Sequence, residues 1–280
     1  MLRCLIACFL LFRTPIMQLL AQTGPARMEA LSKEAGLVNP NVMSFLQDRQ
    51  GFVWIGTADG LQRYDGYALR LYRHTPGDSL SLPNNTINEI IQSRDGTIWI
   101  GTNQGIARFD PLQEVFHAYP YQVTDLRKGL LGGPVVSIYE DPKGCLWITT
   151  YGGGLEMLDP ATGVFEHFVP EPVPNPADVF VAVSETCVDP KQPNLFWLNV
   201  YQGKGWRLYQ FNTDTRTFSP FPAAKPLKDV FFWMALKDRV GAFWLATRNG
   251  PKMLDTQTGD LRDVVMGGSI IRSAIPTMKE

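Results

Sequence analysis

Histidine and cysteine are scarce in this chain, neither sign of charge dominates, and no apolar run is long enough to cross a bilayer. Each absence removes a class of function. The 280 residues contain 26 basic and 27 acidic side chains, a net charge of −1. That balance gives no electrostatic footprint for phosphate backbones, so nucleic acid is excluded as a partner of this region. Four cysteines are present, and two of them, Cys4 and Cys8, fall in an apolar leader. Cys145 and Cys187 remain, too few for a disulfide framework and at no metal-ligand spacing; whether they pair is left open. The run Cys4–Phe12 is split from the next apolar stretch by Arg13, well short of the roughly 18 residues of a membrane span. With Arg3 before it and the small residue Ala21 at its end, segment 1–21 reads as a secretory signal, an uncleaved anchor being the alternative.

What is present is turn chemistry and aromatic residues. Twenty-five glycines and 21 prolines are spread along the chain at turn-like positions, a pattern of many short strands. Trp54, Trp99, Trp147, Trp197 and Trp244 stand 45, 48, 50 and 47 residues apart, each inside the same local phrase: "QGFVWIGTADGLQRYD", "DGTIWIGTNQGIARFD", "KGCLWITTYGGGLEMLD", a degraded fourth copy and "VGAFWLATRNGPKMLD". Each unit parses into four strands, a to d. Strand a alternates with period two (Val42–Leu46, Ile87–Ile91, Val135–Tyr139, Val179–Val183, Val230–Ala235) and strand b carries the tryptophan. Strand c is the "GLQRYD" piece, and an aromatic-rich strand d ends the unit.

Repetition of a four-stranded meander at this period predicts an all-β fold, a β-propeller of four-stranded antiparallel blades. After the signal, 22–280 is expected to form an incomplete propeller, with blades at 37–75, 84–121, 133–170, 178–222 and 229–265. The first strand of a sixth blade is expected at 272–280. Five indoles at one position of the repeat are read as blade core and not as a sugar-stacking set, since burying such rings is the larger gain.

The phrases Asp48–Asp65 and Asp95–Asp110, with the opening "GLVNPNVMSFLQD" from Gly36 to Asp48, resemble the two-component regulator propeller repeats. The resemblance is strong in blades one and two and weak in blade four. It implies the exported N-terminal sensor region of a hybrid two-component histidine kinase, periplasmic and linked to a membrane through sequence not present here. It further implies an oligosaccharide as candidate ligand; a protein partner, a homodimer through the parent ectodomain included, is the alternative use of the same surface or of the rim. No ATP-binding segment or phosphoacceptor helix is present, so any kinase output lies elsewhere.

In such a meander the a–b and c–d turns share one face and the b–c and d–a connections the other. The b–c turns vary, and variable loops on a rigid scaffold concentrate binding. Asp59, Asn103, Gln104, Tyr151, Tyr201 and Arg248 are therefore the candidate ligand residues. No cofactor or metal is expected: the recurring Asp95, Asp110 and Asp159 read as turn caps and not as a calcium loop. His74, His117 and His167 follow their blade tryptophan by eighteen to twenty residues, which puts them at the outer rim and argues against a shared catalytic site. No GxSxG elbow appears either. A propeller enzyme such as a lyase, or a scaffold without a small ligand, stands as the alternative.

Overall fold

The computed structural model describes residues 36–121, 125–170, 181–183, 187–189, 191–202, 206–221, 232–238, 242–247, 249–255, 258–266 and 269–270. The leader 1–21 and the expected sixth-blade strand at 272–280 lie outside them. Five sheets, each antiparallel and in chain order, account for nearly all of the described strands.

Blade one holds β1 (Val42–Gln47), β2 (Val53–Thr57), β3 (Gly60–Tyr64) and β4 (Leu69–Tyr72). Blade two holds β5 (Ile87–Gln92), β6 (Ile98–Thr102), β7 (Gly105–Asp110) and β8 (Val115–Pro120). A single 3-10 turn at Leu126–Lys128 leads to blade three: β9 (Val135–Glu140), β10 (Leu146–Thr150), β11 (Gly154–Asp159) and β12 (Val164–Phe168). Blade four is built from β13 (Val181–Val183), β14 (Cys187–Asp189), β15 (Gln192–Gln202), β16 (Trp206–Asn212) and β17 (Thr217–Pro220). Blade five follows with β18 (Phe232–Lys237), β19 (Phe243–Thr247), β20 (Gly250–Leu254) and β21 (Leu261–Asp263), and a short hairpin, β22 (Val265–Met266) with β23 (Ser269–Ile270), comes last. The first strands β1, β5 and β9 approach one another, so strand a is innermost and strand d lies at the rim. This is the β-propeller that the tryptophan period predicts.

Blade four departs from the expected pattern. Its inner strand is not the single segment Val179–Val183 but two pieces, β13 and β14, both paired with the eleven-residue β15. The ladder shifts register between Val188 and Asp189. The reason is length: β15 is twice as long as strand b elsewhere, and one short strand cannot satisfy its edge.

Register explains the repeated "W-I-G-T" phrase. Trp54, Gly56, Leu61 and Tyr72 share the face toward blade two, where they meet Ile87, Ile90 and Phe109. A Cβ on Gly56 would lie 2.7 Å from Ile87 Cγ2, and one on Gly101 would lie 2.6 Å from Val135 Cγ1. Glycine at these two positions is what lets the inner strand of the next blade settle on strand b. The core is thus a series of seams between neighbouring blades and not one central cluster.

Candidate ligand-binding face and its supports

Polar contacts within blades one, three and five fix their a–b turns. In blade one Asp48 Oδ1 accepts hydrogen bonds from the Gln50 and Phe52 amides at 3.0 Å, and its Oδ2 accepts the Trp54 indole N–H at 2.8 Å. Asp141 does the same for Lys143, Cys145 and Trp147, and Asp238 for Ala242 and Trp244. One carboxylate therefore caps the a–b turn and pins the indole, which removes the problem of a buried donor. Trp54, Trp99, Trp147 and Trp197 are buried, whereas Trp244 is half-buried. The sequence signal for the anchor was available: an aspartate stands six residues before the tryptophan in blades one, three and five, and Ser93 takes its place in blade two.

A second support went unread in the sequence. Leu37, Leu82 and Leu130 each stand five residues before strand a and are all buried. A strand c residue tethers that entering segment in two blades. Gln62 accepts from the Val38 amide at 2.8 Å and donates to the Gly36 carbonyl at 2.9 Å. In blade three the tether is a carboxylate: Glu156, fully buried, accepts from the Leu131 amide, the Thr150 hydroxyl and the His167 imidazole Nδ1, each at 2.8 Å.

On the b–c face, Thr57, Thr102 and Thr247 close the turns by donating to the carbonyls of Gly60, Gly105 and Gly250. Gly60 and Gly105, at φ near +130°, take a backbone that other residues rarely adopt. The candidate side chains project from this frame. Asp59 pairs with Arg73 at 2.5 Å, and Asn103 Oδ1 accepts from Asn88 at 2.9 Å. Tyr151 is 40% exposed, while the Tyr201 ring lies 5.5 Å from that of Trp206. Arg248 lies outside the described residues. Gln104 is exposed and lines a cleft of about 280 Å³ with His74, Asp78, Leu82, Pro120 and Tyr121. Asp59, Asn103, Gln104 and Tyr151 thus sit in successive b–c turns, Tyr201 lies near the end of β15 opposite Trp206 and not in the turn expected for it, and Gln104 lines a cleft.

A larger cleft of about 340 Å³ opens on the opposite face between blades one and two, walled by Phe52, Trp54, Arg63, Asp95 and Phe109. The Arg63 guanidinium sits 4.8 Å from the Phe52 ring centroid and bonds Glu114 at 3.0 Å, so it is already spoken for by the fold. The turn aspartates cap backbone. The Ser93 hydroxyl, then the Thr97 amide, hold the Asp95 carboxyl below its ordinary value, and Thr162 with the Ala161 amide does so for Asp159. The Gln113 and Leu112 amides act likewise on Asp110. Among the described residues no three His, Cys, Asp or Glu side chains gather as metal ligands. The three histidines sit apart, with His74 Nδ1 on the Leu82 carbonyl, His117 facing Asp110 at 3.8 Å and His167 on Glu156. No helix among the described residues is long and apolar enough to cross a membrane.

This is a propeller whose two faces differ, one of stereotyped caps and one of variable turns. Residues 36–59, 81–104 and 129–152 match the sequence model of the family described as two component regulator propeller. Each matched stretch opens beside the buried leucine of its blade and closes in the b–c turn. Over 73 residues it is 34% identical to histidine kinase P4 of Formosa agariphila, covering 26% of this chain and 5% of that one. Among solved structures it is similar to the extracellular domain assigned to the hybrid two component system BT3049 of B. thetaiotaomicron. There the TM-score is 0.65 and the identity 26%, over 84% of this chain and 31% of that one. The extracellular domain assigned to BT4673 of the same organism gives 0.62 and 22%, over 82% and 31%. A catalytically inactive virginiamycin B lyase of Staphylococcus aureus shares the fold alone, with a TM-score of 0.55 at 16% identity over 82% of this chain and 72% of that one. The chain spans about a third of the length of the two ectodomains.

Proposed function

We propose that this chain is a sensing module of an exported hybrid two-component regulator, and that it presents its b–c face to an oligosaccharide. The likeness to the BT3049 ectodomain over most of the chain carries the reading, because it combines the repeat, the fold and more than a quarter identity. The variable turns and the end of β15 supply the chemistry: Tyr151 and Tyr201 offer planar apolar faces, Asn103 and Gln104 amides, and Asp59 a carboxylate, a mix suited to the CH faces and hydroxyls of a sugar. In this reading signal output rests with a kinase region outside this sequence, and the apolar leader read at 1–21 supports a periplasmic setting. The lyase alternative is the less supported one, because the three histidines stand in three separate blades and each bonds or faces a group of its own blade or of the connection that follows it.

Titration calorimetry of the chain against a panel of neutral and acidic oligosaccharides tests this. The expected result is one binding class of sugar, weakened tenfold or more by Gln104→Ala or Tyr151→Ala, with the thermal melt unchanged. No heat from any glycan would remove sugar sensing, and unaltered affinity in both variants would move the site off this face.

A further inference from the structure

The cleft of about 280 Å³ on the b–c face lies where the connection between blades one and two meets the b–c turn of blade two and the end of β8. The Leu82 carbonyl stands 2.6 Å from His74 Nδ1. A carbonyl oxygen only accepts, so Nδ1 carries the proton and Nε2 of the neutral ring is a bare acceptor. Asp78 spends Oδ1 on the Leu80 amide at 2.9 Å and keeps Oδ2. The third polar group is the exposed side-chain amide of Gln104. None of these three ends has a hydrogen-bond partner among the described residues. The connection that carries the first two is cross-braced: the His74 amide donates to Asn85 Oδ1 at 2.7 Å, the Thr75 amide to Ser81 Oγ at 2.9 Å, and the Ser81 hydroxyl to the Asp78 carbonyl at 2.9 Å. The Phe116 amide donates to the Leu80 carbonyl at 2.9 Å and so ties the connection to strand d of blade two. Groups held in this way need little ordering when a ligand arrives.

The polar set selects its ligand. Two acceptors beside an amide call for a molecule rich in hydroxyl donors, and the apolar wall of Leu82 and Pro120 suits the CH face of a sugar ring. No lysine or arginine lines the cleft, and Arg73, next to His74, is paired with Asp59. A carboxylate or sulfate on the ligand would therefore meet Asp78 with no counter-charge. The volume stands at the lower bound of about 300 Å³ for small-molecule sites, which suits one ring and not a length of chain. At the edge, Tyr121 leads toward blade three: a Cβ on Gly133 would lie 3.8 Å from the Tyr121 ring, and the Gly133 amide donates to the Tyr151 carbonyl at 3.1 Å. We propose, resting on the sugar-sensing reading of this face, that the cleft is the subsite for one end residue of the oligosaccharide. That residue bears no acidic group, and the rest of the sugar chain runs past Tyr121 toward Tyr151.

Calorimetry of the chain with neutral trisaccharides of glucose, mannose, xylose and galactose, set against trisaccharides of galacturonate and mannuronate, tests the assignment. A neutral sugar is expected to bind and the uronates to give no heat. His74→Asn keeps a donor for the Leu82 carbonyl but puts nothing in place of Nε2, and Asp78→Asn keeps the Leu80 cap but turns the free acceptor into a donor. Each should weaken the neutral sugar about threefold to tenfold, the scale of one hydrogen bond, with the thermal melt unchanged. Should either variant melt early, Gln104→Ala removes an exposed side chain without touching the connection and should give a similar loss. Binding that Tyr151→Ala weakens, but that none of the three cleft substitutions alters, overturns the subsite and leaves the sensing face standing. Uronates bound as tightly as neutral sugars overturn it too, again without touching sugar sensing. No heat from any sugar removes both.

Discussion

Blade one and blade three meet the same structural demands with different residues. Each must hold its entering segment, seat its tryptophan against the next blade and tie its outer strands to the following c–d turn. Blade one uses the neutral Gln62 for the first task, donating to one backbone group and accepting from another. Blade three uses Glu156, which only accepts, and the environment has changed to match: the partners are two amides, a hydroxyl and an imidazole. At the seams, blade one has Gly56 under an isoleucine, whereas blade three has Thr149, whose hydroxyl is bonded to Ser137. The fold fixes where a task is done; the side chain that does it is free to vary if its partners vary with it.

The largest test of this comparison is at the tether. Glu156→Ala strands several buried donors at once and should cost about 3–5 kcal/mol, the scale of breaking a buried charged network. Gln62→Ala should cost about 1–3 kcal/mol, because the groups it leaves lie nearer water. Denaturant unfolding with an unchanged slope measures both. Equal losses would mean that the two tethers are alike in spite of their charge.

The next effect is steric. Gly101→Ala places a methyl 2.6 Å from Val135 Cγ1, so the seam must shift, at about 1–3 kcal/mol. Val135→Ala in the same chain should recover part of that loss, since the two residues touch and are expected to couple. Simple additivity in the double-mutant cycle would show that the blades already sit far enough apart to admit the extra carbon.

These two cases also mark what was legible in the sequence. The propeller could be read because tryptophan spacing and period-two alternation report local geometry, and local geometry repeats. The glycine of the "W-I-G-T" phrase was visible, but its cause is a contact with a residue 31 positions later, Ile87, which periodicity does not encode. The tether was harder still. Gln62 and Glu156 stand in strand c among residues that alternate as any strand does, and their partners lie 24 to 26 residues upstream. The split inner strand of blade four was missed because that copy of the repeat is degraded. On the b–c face the sequence indicated which turns vary, but not that Asp59 and Asn103 would have partners of their own or that Gln104 would line a cleft with His74 and Tyr121.

The smallest effect lies at the rim, where the comparison becomes a reversal of charge. Glu114 at φ 56° and Arg216 at φ 59° occupy equivalent c–d turn positions, filled by Gly163 and Gly259 in blades three and five. Each reaches back to the preceding blade: Glu114 to Arg63 and Arg70, Arg216 to Glu166, and Arg70 and Glu166 are themselves equivalent in register. A left-handed backbone at a residue with a side chain is a strain that the ion pair offsets. Partial burial pushes the Glu114 carboxyl up, but hydrogen bonds from Arg63 and Arg70 outweigh it and hold the group below its ordinary value. Its contribution is therefore present above the unfolded glutamate pKa of about 4.3 and is lost as pH falls through the lower folded value. At the other seam, Arg216→Glu sets two carboxylates together and should destabilise by under about 1 kcal/mol, as expected for an exposed pair, with the loss shrinking in high salt. Adding Glu166→Arg recreates the polarity of the first seam and should restore the wild-type melt. If the double variant stays as weak as the single one, the pairing at these turns follows from crowding and not from charge.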